Sequence, residues 1–197
     1  IPFATTYAAF GTRRAFDFVH QVIAEENLNV KICCALPGLT TGYGPSHAAI
    51  EDIAMMRGVP GLTIVDPCDA LDIEQAVPQI AAHKGPVYMR LLRGQVPLVL
   101  DEYDYKFELG KAKLLRDGAD VLLISSGVMT MRVWIDADCM PGMMLAKFTM
   151  ISAGVCMINA KLAYWVGRPP GNSILIGGVL AGGCCGFDMG HTPDHLT

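Results

Sequence analysis

Apolar residues follow two alternating patterns through the first two-thirds of the chain: short continuous runs, and stripes three or four residues apart. Residues 1–7 form an apolar run carrying two threonines, which predicts a buried strand. Ala15, Phe16, Val19, Val22 and Ile23 stand at helical spacing within residues 13–26, and Asn27 is a natural stop. Residues 30–35 read as a strand bounded by Pro37 and Gly38. A helix is expected from Ser46, with Ser46 as its N-cap. Residues 62–65 predict a strand ending at Asp66 and Pro67. Residues 69–83 predict a helix that Pro78 kinks or shortens. Residues 86–92 predict a further strand.

Strands and helices alternating with short connections define an α/β class with a largely parallel, doubly wound sheet. Residues 98–107 are irregular and acidic and resemble a linker, and residues 120–125 open a second α/β unit with Ser126 and Gly127 as its turn. This divides the chain into a domain at 1–97, a linker at 98–118 and a truncated or aberrant unit at 119–197. Beyond residue 133 the alternation is lost, so the tail is atypical. Residues 143–164 are almost continuously apolar, and residues 171–186 are rich in glycine and cysteine. By length the apolar run could span a membrane, but Lys147, Ser152, Asn159 and Lys161 interrupt it. A foreign or out-of-frame tail is the other reading.

Composition narrows the classes. The 197 residues are 52% hydrophobic and 17% charged with a net charge of −4, which offers no basic field for nucleic acid. The seven cysteines are odd in number and lack metal-ligand spacing, so no metal site is expected. They read as reduced cytoplasmic thiols that mostly fill the core, and no secretory signal is visible. The chain opens at Ile1, already in a strand, which suggests a fragment of a longer protein.

The loop G-L-T-T-G-Y-G-P-S-H, residues 38–47, follows a strand and precedes a helix, so it lies at the carboxyl edge where open α/β sheets bind ligands. Gly38, Gly42, Gly44 and Pro45 let its backbone approach a ligand, and His47 could exchange protons with a hydroxyl. An ordinary surface loop has the same composition. Arg90 and Arg93, at the end of the strand 86–92, suit a phosphate or carboxylate, or simply a solvated strand end. Tyr7 and Phe10, followed by Arg13 and Arg14, could stack on a flat ring or pack in the core.

In ordered succession these segments resemble the transketolase family over about two-thirds of the chain. P-F-A-T-T-Y-A-A-F-G-T-R-R-A-F-D at residues 2–17 resembles the segment whose aromatics line the aminopyrimidine pocket, and G-L-T-T-G-Y-G-P-S-H is similar to the family's G-L-x-x-x-D-G-P-T-H. Residues 49–69, 85–94 and 110–127 continue the resemblance through a helix and strand, the phosphate-binding strand and the start of a carboxyl-terminal domain. The resemblance implies thiamine diphosphate as cofactor, with Tyr7, Phe10 and Arg13 on the cofactor side. It implies His47 as the catalytic histidine and Arg93, Arg90 and Gly44 on the substrate side. The implied reaction is transfer of a two-carbon ketol unit between phosphorylated sugars.

The family's activating glutamate lies before the P-F-A-T-T segment, so it is not among these residues. The diphosphate and Mg2+ motif, G-D-G, is also absent. A chain of this kind resembles the C-terminal subunit of a split transketolase, is expected to be inactive alone, and needs a diphosphate-binding N-terminal subunit in a homo- or hetero-oligomer. Tyr43 stands where many members carry an aspartate that reads a sugar hydroxyl. Three alternatives stay open: a deoxyxylulose-phosphate-synthase or dehydrogenase E1β-like piece, favoured by Arg90 and by the missing aspartate at Tyr43; a non-catalytic remnant that binds a partner; and a membrane-tethered module using residues 143–164.

Overall fold

The computed structural model describes residues 1–39, 42–118 and 121–131, together with the backbone of five strands between residues 143 and 184. Strands β1 (Phe3–Tyr7), β2 (Lys31–Ala35), β3 (Thr63–Val65) and β4 (Val87–Leu91) form a parallel array in the order β1-β2-β4-β3. Two helices belong to the same unit, α1 (Asp52–Arg57) and α2 (Ala70–Ala82). β5 (Ala112–Arg116), β6 (Val121–Ser125), β7 (Met143–Phe148) and β9 (Ser173–Ile176) make a second sheet in the order β5-β7-β6-β9. β8 (Met150–Ser152) leaves that sequence to pair antiparallel with β3, and β10 (Val179–Leu180) pairs with β11 (Gly183–Cys184). Met143–Phe148 and Met150–Ser152 therefore make the apolar run's first part strand rather than membrane helix, and residues 153–164 lie outside the described residues.

β2, β3 and β4 are largely buried, whereas β1, expected from its apolar run to be buried, is an exposed strand at the sheet edge. Period-two alternation along the buried strands sorts the core into two layers. Ile32, Cys34, Ile64 and Tyr88 face a layer completed by Ala8, Ala9, Val19, Ala24 and Met56. Cys33, Val65, Val87 and Met89 face the other layer, with Ala76 and Ile80 of α2.

The helical stretch read at 13–26 starts earlier, just after β1. Its amides reach back five residues in two places, Phe10–Arg14 and Phe18–Ala24, so its turns are wide. It ends at Asn27, which takes a left-handed φ of 49°. Pro78 does not shorten α2, which runs to Ala82. Asp69 caps α2 by accepting from the Asp72 amide at 3.1 Å, and Asp72 accepts in return from the Cys68 amide at 2.8 Å.

The segment read as a linker is strapped to α2 instead. Gln75 and Gln79 lie one turn apart and bond the backbone of Tyr105, Phe107 and Leu109 as a strand would, at 2.6–3.1 Å. Val99, Leu100, Tyr105 and Phe107 of this segment are buried. The carboxylates of Asp69 and Asp72, 30–33 residues earlier, hold the same segment: the Val99 and Leu100 amides donate to Asp69, and the Tyr105 hydroxyl donates to Asp72.

Candidate active site at the carboxyl edge of the sheet

Register across the sheet sets the site. Tyr7 pairs with Ala35, and Ala35 pairs with Leu91, so the ends of β1, β2 and β4 fall in one row. The 36–51 loop and Arg93 therefore leave the sheet beside Tyr7. Three rings converge there. The Phe10 and His47 centroids are 5.2 Å apart in an edge-on arrangement, Tyr7 lies 5.7 Å from His47, and Tyr7 lies 5.8 Å from Phe10. Such separations are those of attractive ring pairs. Tyr7 keeps 38% of its surface exposed, so its ring is a shelf rather than a core filler.

His47 does not open a helix. It sits in a turn where its amide and that of Ala48 both donate to the Gly44 carbonyl at 3.1 Å, and α1 starts only at Asp52 with Glu51 before it. Ser46 consequently caps no helix. Its hydroxyl instead shares a 2.9 Å hydrogen bond with His47 Nδ1, which leaves Nε2 for a ligand. Gly44 has φ +76°, a left-handed conformation that side chains resist, and this makes the turn. Its role here is to shape the backbone around His47.

Arg13 binds this turn from outside. Nη1 donates to the Pro45 carbonyl at 3.2 Å, Nη2 to the Ala48 carbonyl at 3.0 Å, and Nε to the Glu51 carboxylate. Glu51 is held below the usual carboxylate range, chiefly by that hydrogen bond from Arg13. The guanidinium read as a cofactor contact is thus occupied in holding the histidine turn. Arg14, its neighbour, lies over the Phe10 ring at 4.6 Å.

The two arginines of the R-L-L-R segment separate. Arg93 is exposed beyond the end of β4. It donates from Nη1 to the Tyr43 hydroxyl at 2.5 Å and stands over the Tyr43 ring at 5.1 Å. Tyr43 in turn lies 5.7 Å from His47, which links Arg93 to the three rings. Arg90 does not join them. Strand alternation turns it, like Tyr88, toward α1, where it is 8% exposed. Its Nε and Nη2 donate to Asp52 at 2.7 and 3.3 Å, and Nη1 donates to Asp66 at 3.0 Å. Tyr88 adds a bond to Asp52 at 2.8 Å. A guanidinium so committed is a buried structural hub and has no fork left for a phosphate, which corrects the reading of Arg90 as a substrate ligand.

Asp66 carries the hub onward. It accepts from the Ser126 hydroxyl at 2.9 Å, and its carbonyl accepts from the Gly127 amide at 3.1 Å, which ties the end of β3 to the turn after β6. Sequence reasoning missed Glu51, Asp52 and Asp66, and read Tyr43 only as a departure. The one available signal was the spacing of Tyr88 and Arg90, two polar-tipped residues on one face of a buried strand.

Comparison with known proteins agrees with this geometry. The family description "Transketolase, pyrimidine binding domain" matches residues 1–99. A transketolase family protein of Sinorhizobium fredii is 76% identical over 131 residues, which is 66% of this chain and 38% of that protein. A 6-deoxy-6-sulfo-D-fructose transketolase subunit of a Clostridium species is 41% identical over 143 residues, covering 72% of this chain and 44% of the relative. Among solved structures, a split gene transketolase described as an inactive beta4 tetramer superposes with a TM-score of 0.73 at 32% identity, over 90% of this chain and 57% of that one. The chain spans less than half the length of these two curated relatives. A match over half the chain to that family description, and a parallel sheet whose carboxyl edge gathers the aromatic and histidine positions of its motifs, lead to one statement: the chain belongs to the transketolase family, with the family's pyrimidine-binding domain at residues 1–99.

Proposed function

We propose that this chain supplies the pyrimidine and sugar side of a thiamine-diphosphate-dependent transketolase that moves a two-carbon ketol unit between phosphorylated sugars. The observation that carries the reading is the convergence of Tyr7, Phe10 and His47 at the sheet edge, with Arg93 joined to them through Tyr43.

The residues fit the cofactor that the family implies. The half-exposed Tyr7 ring, flanked by Phe10, is a shelf for a flat heteroaromatic ring. When bound, thiamine diphosphate supplies the nucleophilic carbon for the chemistry. The chain's own groups do the rest. Tyr7 and Phe10 orient the ring. His47, held at Nδ1 by Ser46, moves a proton at a sugar hydroxyl through Nε2. Arg93 fixes the anionic end of the sugar, and Gly44 shapes the turn that sets His47.

The diphosphate and Mg2+ belong, in this reading, to an N-terminal subunit, since no G-D-G motif occurs in these residues. The split-gene structural relative is described as an inactive beta4 tetramer, and we read this chain likewise as inactive until that subunit joins it. A cytoplasmic setting is part of the proposal, supported by a cysteine content that reads as reduced thiols rather than a disulfide framework. The deoxyxylulose-phosphate-synthase or E1β alternative leaned on Arg90 as a second phosphate ligand and on the missing aspartate at Tyr43; the burial of Arg90 removes the first of these supports.

The test is reconstitution. The protein is combined with a diphosphate-binding subunit, thiamine diphosphate and Mg2+, and ketol transfer from a ketose phosphate to an aldose phosphate is followed. Transfer that requires both subunits and the cofactor supports the proposal. An assembled complex that binds cofactor yet transfers no two-carbon unit overturns it.

A further inference from the structure

Tyr43 and Arg93 lie 50 residues apart in sequence and make two contacts with each other. The Arg93 Nη1 donates to the Tyr43 hydroxyl at 2.5 Å, and the guanidinium carbon stands 5.1 Å from the centroid of the same ring. The ring is anchored by His47 at 5.7 Å. A phenol accepts through its oxygen and still has one hydrogen to give. Among the described residues that hydrogen meets no acceptor. A guanidinium has several N–H groups in a planar fork, and this contact uses one of them.

We propose that Tyr43 is a specificity-determining residue: it aims the Arg93 fork and adds its own hydroxyl as a neutral donor, so that the pair receives the tetrahedral oxyanion at the far end of the substrate, a phosphate or a sulfonate. This deepens the function proposed above and rests on its assignment of Arg93 to the anionic end. The physical advantage is preorganisation. A free surface arginine loses rotamer freedom when it binds an anion, and one already held on a ring and a hydroxyl loses less. A neutral phenol orients the cation without cancelling its charge, so the anion meets the full guanidinium charge together with a second donor. Tyr43 is 52% exposed, so changing it leaves the core untouched.

The experiment is isothermal titration of the full chain with ribose 5-phosphate, with ribose as the uncharged control and a 6-deoxy-6-sulfo hexose as the second anion. It is run on the wild type, on Tyr43→Phe, which keeps the ring, and on Tyr43→Ala, which removes both contacts. The expected result is binding of at least one anionic sugar and not of ribose, weakened about tenfold in Tyr43→Phe and further in Tyr43→Ala. Which anion binds identifies the source of the oxyanion. In the assembled complex Tyr43→Phe should raise KM for that sugar by a similar factor and leave kcat within about twofold, a split that general damage to the fold does not produce. Wild-type affinity in Tyr43→Phe, or no preference of the wild type for either anion over ribose, overturns the proposal. Failure of ketol transfer leaves this titration unaffected, so the two readings fail separately.

Discussion

Arg13 and Glu51, 38 residues apart, close a clamp around His47: one guanidinium binds the Glu51 carboxylate and the carbonyls of Pro45 and Ala48, which flank the histidine. The clamp joins the helical stretch after β1 to the turn before α1. His47 thus has its place set by two segments distant in sequence.

Its pH dependence has a definite sign. Glu51 titrates below its ordinary value of 4.5 because Arg13 bonds the charged form. The clamp's contribution is therefore fully present above pH 4.5 and is lost as pH falls through the lowered folded value. Arg13→Gln should cost little in thermal stability, because the pair is exposed. It should lower kcat of the assembled enzyme about tenfold, the scale of a slight misplacement of a catalytic group. Unchanged kcat in this variant would show that the clamp does not set His47.

His47 and Arg93 should separate in kinetics. Replacing His47 by Ala removes a proton-transfer group and should lower kcat about 10²- to 10⁴-fold. Replacing Arg93 by Ala removes a charged anion ligand and should mainly raise KM for the sugar phosphate, by about 10- to 100-fold. Steady-state rates of the reconstituted complex measure both. If each variant behaved as wild type, the residue assignments would be wrong.

Arg90 should matter for stability rather than for substrate. Arg90→Met leaves Asp52 and Asp66 buried without their cation, and the loss should be about 3–5 kcal/mol. Urea denaturation of the chain reads this directly. A variant as stable as wild type would remove Arg90 from the centre of the fold.

Gly127 sits against the same hub. A Cβ there would stand 2.5 Å from Asp66 Oδ2, and φ is +57°, so Gly127→Ala is crowded and strained together. A loss of about 1–3 kcal/mol is expected. The same denaturation experiment checks it, and combining Gly127→Ala with Arg90→Met should give less than the sum, since both disturb Asp66.

Local pattern was enough to read the α/β class, the four parallel strands, α2 and the aromatic, histidine and arginine positions at strand ends. Strand alternation and ring chemistry are carried by residues a few positions apart, and a sequence displays those directly. Three matters were settled only in three dimensions. Arg90 and Arg93 are chemically alike and three positions apart, yet one faces Asp52 under the sheet and the other passes the strand end to Tyr43. The acidic stretch after residue 97 read as a linker because its partners, Gln75 and Gln79, lie about 30 residues away. His47 read as a helix start, while Arg13 and the Gly44 carbonyl hold it in a turn. In each case a deciding partner is remote in sequence: Asp52 and Tyr43 for the two arginines, Gln75 and Gln79 for the acidic stretch, and Arg13 for His47. The sequence alone determined which chemistry was present, and tertiary register determined which groups could reach a ligand and which were consumed inside the fold.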